Sequence, residues 1–142
     1  MRFLLGLLAR TRLYRVSTSL FWITATLALS HFLYVLDAAM GLSTYYPSRV
    51  FRLLFDTLPI EVWTTLHLVS ALCLLLGLFV WDNLIKVGYL ISVSTYWMIT
   101  LAFTISFIEK PTSLYALSPT LLCAAVATLG FIEYSRLHRM WH

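Results

Sequence analysis

Residues 87–108 read VGYLISVSTYWMITLAFTISFI, an unbroken run without one charged side chain between Lys86 and Glu109. At 1.5 Å per residue, a helix of this length crosses the ~30 Å of hydrocarbon in a bilayer. Lipid offers no partner to a bare backbone, so such a run must be helical if it spans. Three more runs of the same kind lie on either side of it. Residues 16–36 end at Asp37, residues 62–80 sit between Glu61 and Asp82, and residues 114–132 sit between Lys110 and Glu133.

The whole composition agrees. The chain is 61% hydrophobic and 11% charged, with a mean hydropathy of +0.86. Soluble domains carry about 45–50% apolar and about 25% charged residues. A soluble core of 142 residues could not bury this much apolar surface, so the solvent is lipid. The sequence therefore predicts an all-α, four-helix transmembrane bundle, a single integral domain over residues 1–142.

Four spans put both ends on one side. That side collects Arg2, Arg10, Arg12, Arg15, Lys86, Arg136 and Arg139. The other holds Arg49, Arg52 and Lys110 beside Asp37, Asp56, Glu61 and Glu109. The positive-inside rule then places both termini, and the short 81–86 turn, on the cytoplasmic or equivalent inner side. Residues 3–9 could pass for the apolar part of a signal peptide. Arg10 and Arg12 stand where a small-residue cleavage site belongs, so the segment reads as retained.

The first outer connection, residues 37–61, is the one long loop. Pro47 and Ser48 mark a helix start and Pro59 a stop. Phe51, Leu54, Phe55 and Leu58 keep helical spacing, with Arg49, Arg52 and Asp56 on the opposite face. This pattern predicts a short amphipathic helix on the outer surface, with Arg49, Phe51, Arg52 and Phe55 meeting the membrane.

Chemistry-bearing residues are few. His31 lies six residues before Asp37 and His67 six residues after Glu61. Both stand ~9 Å inside the outer boundary. Two histidines at one depth on consecutive helices could ligate a haem b, with Gly41 and Arg49 the nearest aids to such a site. The competing expectation is that each imidazole bonds a hydroxyl such as Ser30, Ser70 or Thr104, and the sequence supplies no second ligand shell that would favour haem. Ser92, Tyr96, Thr100 and Thr104 are spaced by four and share one face of the third span. They form either a packing seam or the lining of a water path. Small and hydroxyl residues are the usual glue between membrane helices, so the seam is preferred, with Thr100, nearest mid-bilayer, as its most sensitive position.

Other classes fall away. Cys73 and Cys123 sit in apolar runs without a CxxC spacing, which argues against thiol redox chemistry. The spans carry no acid to couple with transport. No HExxH, nucleophile motif or acidic cluster suggests an enzyme. The basic residues flank lipid rather than a soluble face, so nucleic acid is a poor partner.

The layout resembles small four-span membrane proteins encoded by tailed bacteriophages. The resemblance rests on Leu58-Pro59-Ile60-Glu61-Val62-Trp63, on Leu76-Gly77-Leu78 closing the second span, and on Ser94-Thr95-Tyr96-Trp97 in the third. It covers about the last two-thirds of the chain. It implies a role in lysis, host takeover or superinfection control, and assigns no catalytic residue. From the residues, the first expectation is a non-enzymatic accessory or scaffold subunit. Its partners would be the bilayer and other membrane subunits, or further copies of itself. A holin-like permeabilising protein and a bis-histidine haem b carrier stand behind it.

The charge asymmetry makes the orientation testable. Cysteines introduced at Ser43 and Ser113 should react with an impermeant reagent in intact cells, and those at Ser17 and Ser135 only after permeabilisation. The reverse pattern would invert the topology.

Overall fold

The computed structural model describes residues 17–40, 56, 58–81, 83–109 and 114–140. Four helices account for nearly all of them: α1 (Thr18–Met40), α2 (Ile60–Phe79), α3 (Asn83–Glu109) and α4 (Leu114–Met140). No strand occurs among the described residues. The amphipathic surface helix expected in the first outer loop, with Arg49, Phe51, Arg52 and Phe55, lies outside the described residues.

Helix starts and stops follow local chemistry. Ser17 caps α1, its Oγ accepting from the amide of Leu20 at 3.2 Å. Pro59, at φ −54° and ψ 150°, precedes α2, and its carbonyl accepts from Val62 at 3.0 Å. At the far end of α2 the amides of Val80 and Trp81 both fold back on the Leu76 carbonyl, at 2.7 and 3.2 Å. The Leu84 amide then bonds Trp81, which opens α3 almost at once. So short a turn forces α2 and α3 to run antiparallel side by side.

Several helices outrun the apolar runs that announce them. α1 continues past Asp37 to Met40, α3 starts ahead of Lys86, and α4 passes Glu133 and Arg136 to reach Met140. The 81–86 turn expected from the sequence is therefore shorter. A charge ends the stretch that lipid can solvate, but it does not end the backbone hydrogen bonding. On α4 the charged turn supports itself through Arg136 and Glu133, 2.8 Å apart and exposed.

All four helices are long and apolar enough to cross a membrane, over Thr18–Met40, Ile60–Phe79, Asn83–Ile105 and Thr120–Met140. The chain is thus a multi-pass membrane protein. The helices pack in sequence order, α1 on α2, α2 on α3 and α3 on α4, with a slighter contact of α1 on α4 that closes the ring. α1 and α3 face each other across the diagonal. Outward positions such as Leu29, Leu72, Leu101 and Leu122 are exposed and apolar, as lipid requires.

What turns inward is set by small and polar residues, because the helices are apolar on every side. Two glycines bring α2 and α3 together. A Cβ on Gly88 would lie 2.7 Å from Leu74 Cγ, and one on Gly77 would lie 2.6 Å from the Ile85 backbone nitrogen. On the other side, Gly130 of α4 lets the Tyr89 ring lie against its backbone.

Gly77→Ala should be the costlier of the two α2–α3 glycine substitutions, since its Cβ would meet immovable backbone at 2.6 Å, against 3.0 Å for Gly88. Overpacking costs about 1–3 kcal/mol. Thermal unfolding in detergent should show Gly77→Ala melting lowest, Gly88→Ala next, and lipid-facing Leu101→Ala close to the parent. Equal melting of all three would refute the close helix contact.

Candidate functional site

The bundle interior holds a connected set of polar side chains. His31 of α1 and His67 of α2 are 0% and 1% exposed. Their Nδ1 atoms meet at 2.7 Å. His31 Nε2 lies 2.8 Å from Ser92 Oγ on α3. Ser92 Oγ in turn lies 2.8 Å from Ser70 Oγ on α2, and both hydroxyls reach the Gly88 carbonyl, at 2.8 and 3.0 Å. The close approach at Gly88 is what lets Ser70 reach the backbone of the next helix.

Two further bonds cross the same diagonal between α1 and α3. Tyr89 Oη donates to Thr24 Oγ1 at 2.8 Å, since the threonine proton goes to the Leu20 carbonyl. Tyr96 Oη donates to Ser30 Oγ at 2.5 Å, because the serine proton goes to Leu27. Aromatic rings complete the surroundings. Tyr34 stacks on His67 with centroids 3.9 Å apart and planes 19° apart, and Tyr96 lies tilted on His31 at 4.9 Å. Burial in so apolar a setting makes each of these hydrogen bonds worth having and each missing one costly.

The expected site residues divide. His31 and His67 are brought together, and Ser92 and Tyr96 join them from α3. The hydroxyl beside His31 is Ser92, with Ser70 one step further on, while Ser30 serves Tyr96. Thr100 and Thr104 share the face, but their hydroxyls turn back to their own helix, to the carbonyls of Tyr96 and Thr100. They fill the seam without bonding across it. Cys73 and Cys123 are partly buried free thiols on separate helices.

A haem held axially by both imidazoles needs iron between the two ligand nitrogens. With metal–nitrogen bonds of ~2.0–2.1 Å, those atoms would stand ~4 Å apart with a porphyrin between the rings. The Nδ1 atoms touch at hydrogen-bond distance instead, and Tyr34 covers one face of His67. The residues present do not fit that group. Among the described residues, no cluster of three or more His, Cys, Asp or Glu could hold a metal ion.

Tyr89 and Tyr34 were not singled out as partners from sequence, although a signal for the first exists. α1 and α3 run parallel, so partners must keep a nearly constant separation along the chain. The observed pairs do, at 65, 66 and 61 residues. Aligning the first and third spans at an offset of 65 to 66 residues brings Thr24 to Tyr89 and Ser30 to Tyr96.

The chain matches no protein-family model, and comparison with curated proteins and with solved structures returns no match.

The bonding pattern ranks substitutions. His31→Leu strands Nδ1 of His67 and takes a donor from Ser92, which keeps Gly88 and Ser70, whereas His67→Leu strands only one nitrogen of His31. Interhelical bonds in membrane proteins average ~0.6 kcal/mol, and a stranded buried partner costs about 1–3 kcal/mol. His31→Leu should therefore melt below His67→Leu in detergent. By the same logic Ser92→Leu should be worse than Thr100→Leu, which moves the weakest point of the stripe to Ser92. Thr100→Leu melting below Ser92→Leu would refute the network as the source of stability.

Proposed function

We propose that this protein is a non-enzymatic accessory or scaffold subunit of a membrane assembly, built as a self-contained bundle that offers its outward helix faces to other membrane proteins. The observation that carries the reading is where the polar groups of the spans go. Ser92, Tyr96 and Thr100 are buried, and each hydroxyl is bonded within the bundle. Nothing in that pattern asks for water, so it supports a dry seam over a pore within one copy.

The outward faces are not uniformly greasy. On α3, Ser94 is exposed and satisfied by the Leu90 carbonyl. One turn on, exposed Trp97 donates its Nε1 proton to Thr128 of α4 at 3.0 Å. A small hydroxyl beside a fixed indole is the kind of surface on which membrane helices associate. The phage-like layout of the sequence is in keeping with a subunit that engages host membrane proteins. Placing both ends on the cytoplasmic side belongs to the same proposal and rests on the arginine and lysine asymmetry.

Purification in mild detergent after in-cell crosslinking tests the role. Other membrane proteins should co-purify at fixed ratio, and Ser94→Phe, whose hydroxyl bonds only its own helix, should reduce their recovery severalfold while the bundle still melts normally. Expression should not release a small dye from the cells or from reconstituted liposomes. Dye release with no co-purifying protein would overturn the proposal in favour of a self-assembling, holin-like pore.

A further inference from the structure

Among the described residues, one atom in the polar core has no partner. Nε2 of His67 is buried and makes no hydrogen bond, while every other nitrogen of the two rings is engaged. Counting protons tells what that atom is. Ser92 has one proton, which goes to the Gly88 carbonyl or to Ser70 Oγ, each 2.8 Å away. Ser92 Oγ must then accept from His31, so the His31 proton sits on Nε2. Nδ1 of His31 is left bare and accepts from Nδ1–H of His67. A neutral His67 with its proton on Nδ1 presents a bare lone pair at Nε2. The opposite polarity would pull the Ser92 proton away from Gly88 and Ser70 and bury an unanswered N–H at the same place, losing a bond for no gain.

We propose that the His31–His67 pair is a proton-accepting site in the membrane interior, with Nε2 of His67 as its port. A proton arriving there forms an N–H bond using the free lone pair and breaks none of the existing hydrogen bonds. The charge can then pass to His31 by one short step. The Nδ1–H bond of His67 breaks, its proton moves across the 2.7 Å contact to form Nδ1–H on His31, and the electron pair stays on His67 Nδ1. His67 is neutral again with its proton on Nε2, and His31 is the imidazolium, still donating to Ser92. No heavy atom has to move and the net charge is one proton throughout.

Burying that charge is costly, and the surroundings offset part of that cost. Two rings share the proton. Ser92 Oγ accepts from His31, and the tyrosine faces of Tyr34 and Tyr96 cover His67 and His31 respectively, where a cation is favoured over a ring face. Around the pair stand Ser30 and Tyr34 of α1, Ser70 of α2, and Ser92 and Tyr96 of α3. α4 brings Ala124 and the thiol of Cys123 to the same core. The acids of α1 and α2, Asp37 and Glu61, are six residues away along their helices, ~9 Å by helix rise. Among the described residues the site therefore has one open acceptor and no competing carboxylate on its own turn of helix. This inference does not depend on the scaffold role.

Imidazole nitrogen NMR on histidine-labelled protein in detergent tests it. His138→Asn with His142→Asn leaves only the two core rings visible. At neutral pH His67 should carry its proton on Nδ1 and His31 on Nε2, with scalar coupling between the two Nδ1 atoms through the shared hydrogen. On acidification both rings should change together in one transition that takes up a single proton per chain, while circular dichroism shows the helices intact. Tyr34→Leu should move that transition to lower pH. The opposite tautomers, two independent transitions, or no uptake before the helices unfold would each overturn the proposal.

Discussion

Inside hydrocarbon a polar atom has only other protein atoms to turn to, and in this chain the consequence is concentrated on the diagonal between α1 and α3. These helices make little direct contact, yet three polar crossings join them: Thr24 to Tyr89, Ser30 to Tyr96 and His31 to Ser92. Apolar faces pack equally well against lipid and against one another, so they cannot choose a rotation for each helix. Polar side chains can, because an unanswered hydroxyl or imidazole in lipid costs more than a mispacked leucine. The bundle's rotational settings follow from that asymmetry.

The glycines make the arrangement geometrically available. Long residues at Gly77 and Gly88 would hold α2 away from α3, and Ser70 would then fall short of the Gly88 carbonyl. Gly130 does the same for α4, giving the Tyr89 ring a flat seat, and that ring is the one whose hydroxyl reaches Thr24. Close approach and hydrogen bonding are therefore one feature. Small residues set the distance at which the polar ones meet.

Much of the fold could be read in the sequence because lipid enforces a simple rule on length and charge. The uncharged runs around His31, His67, Ser92 and Ala124 each announce a helix. The limits of those helices were less legible. Asp37, Lys86 and Glu133 end the apolar runs, but the backbone bonds run on into the interface, where water and head groups accept charge. The site was legible in kind only. His31 and His67 are conspicuous as polar residues at equal depth, and the four-residue spacing of Ser92 and Tyr96 marks an inward face. The same spacing groups Thr100 and Thr104 with them, although those hydroxyls serve their own helix, since periodicity reports a face and not a partner.

The sequence by itself thus determined the membrane, the number of crossings and the depth of each polar residue, because hydropathy and helix rise depend only on residue order. The tertiary structure alone decided which polar residues meet. It set His31 against both His67 and Ser92, left Nε2 of His67 without a partner among the described residues, and laid Tyr34 over the ring. Those outcomes depend on how each helix is rotated about its axis and how closely its neighbour approaches. Both are fixed by contacts between segments far apart in the chain.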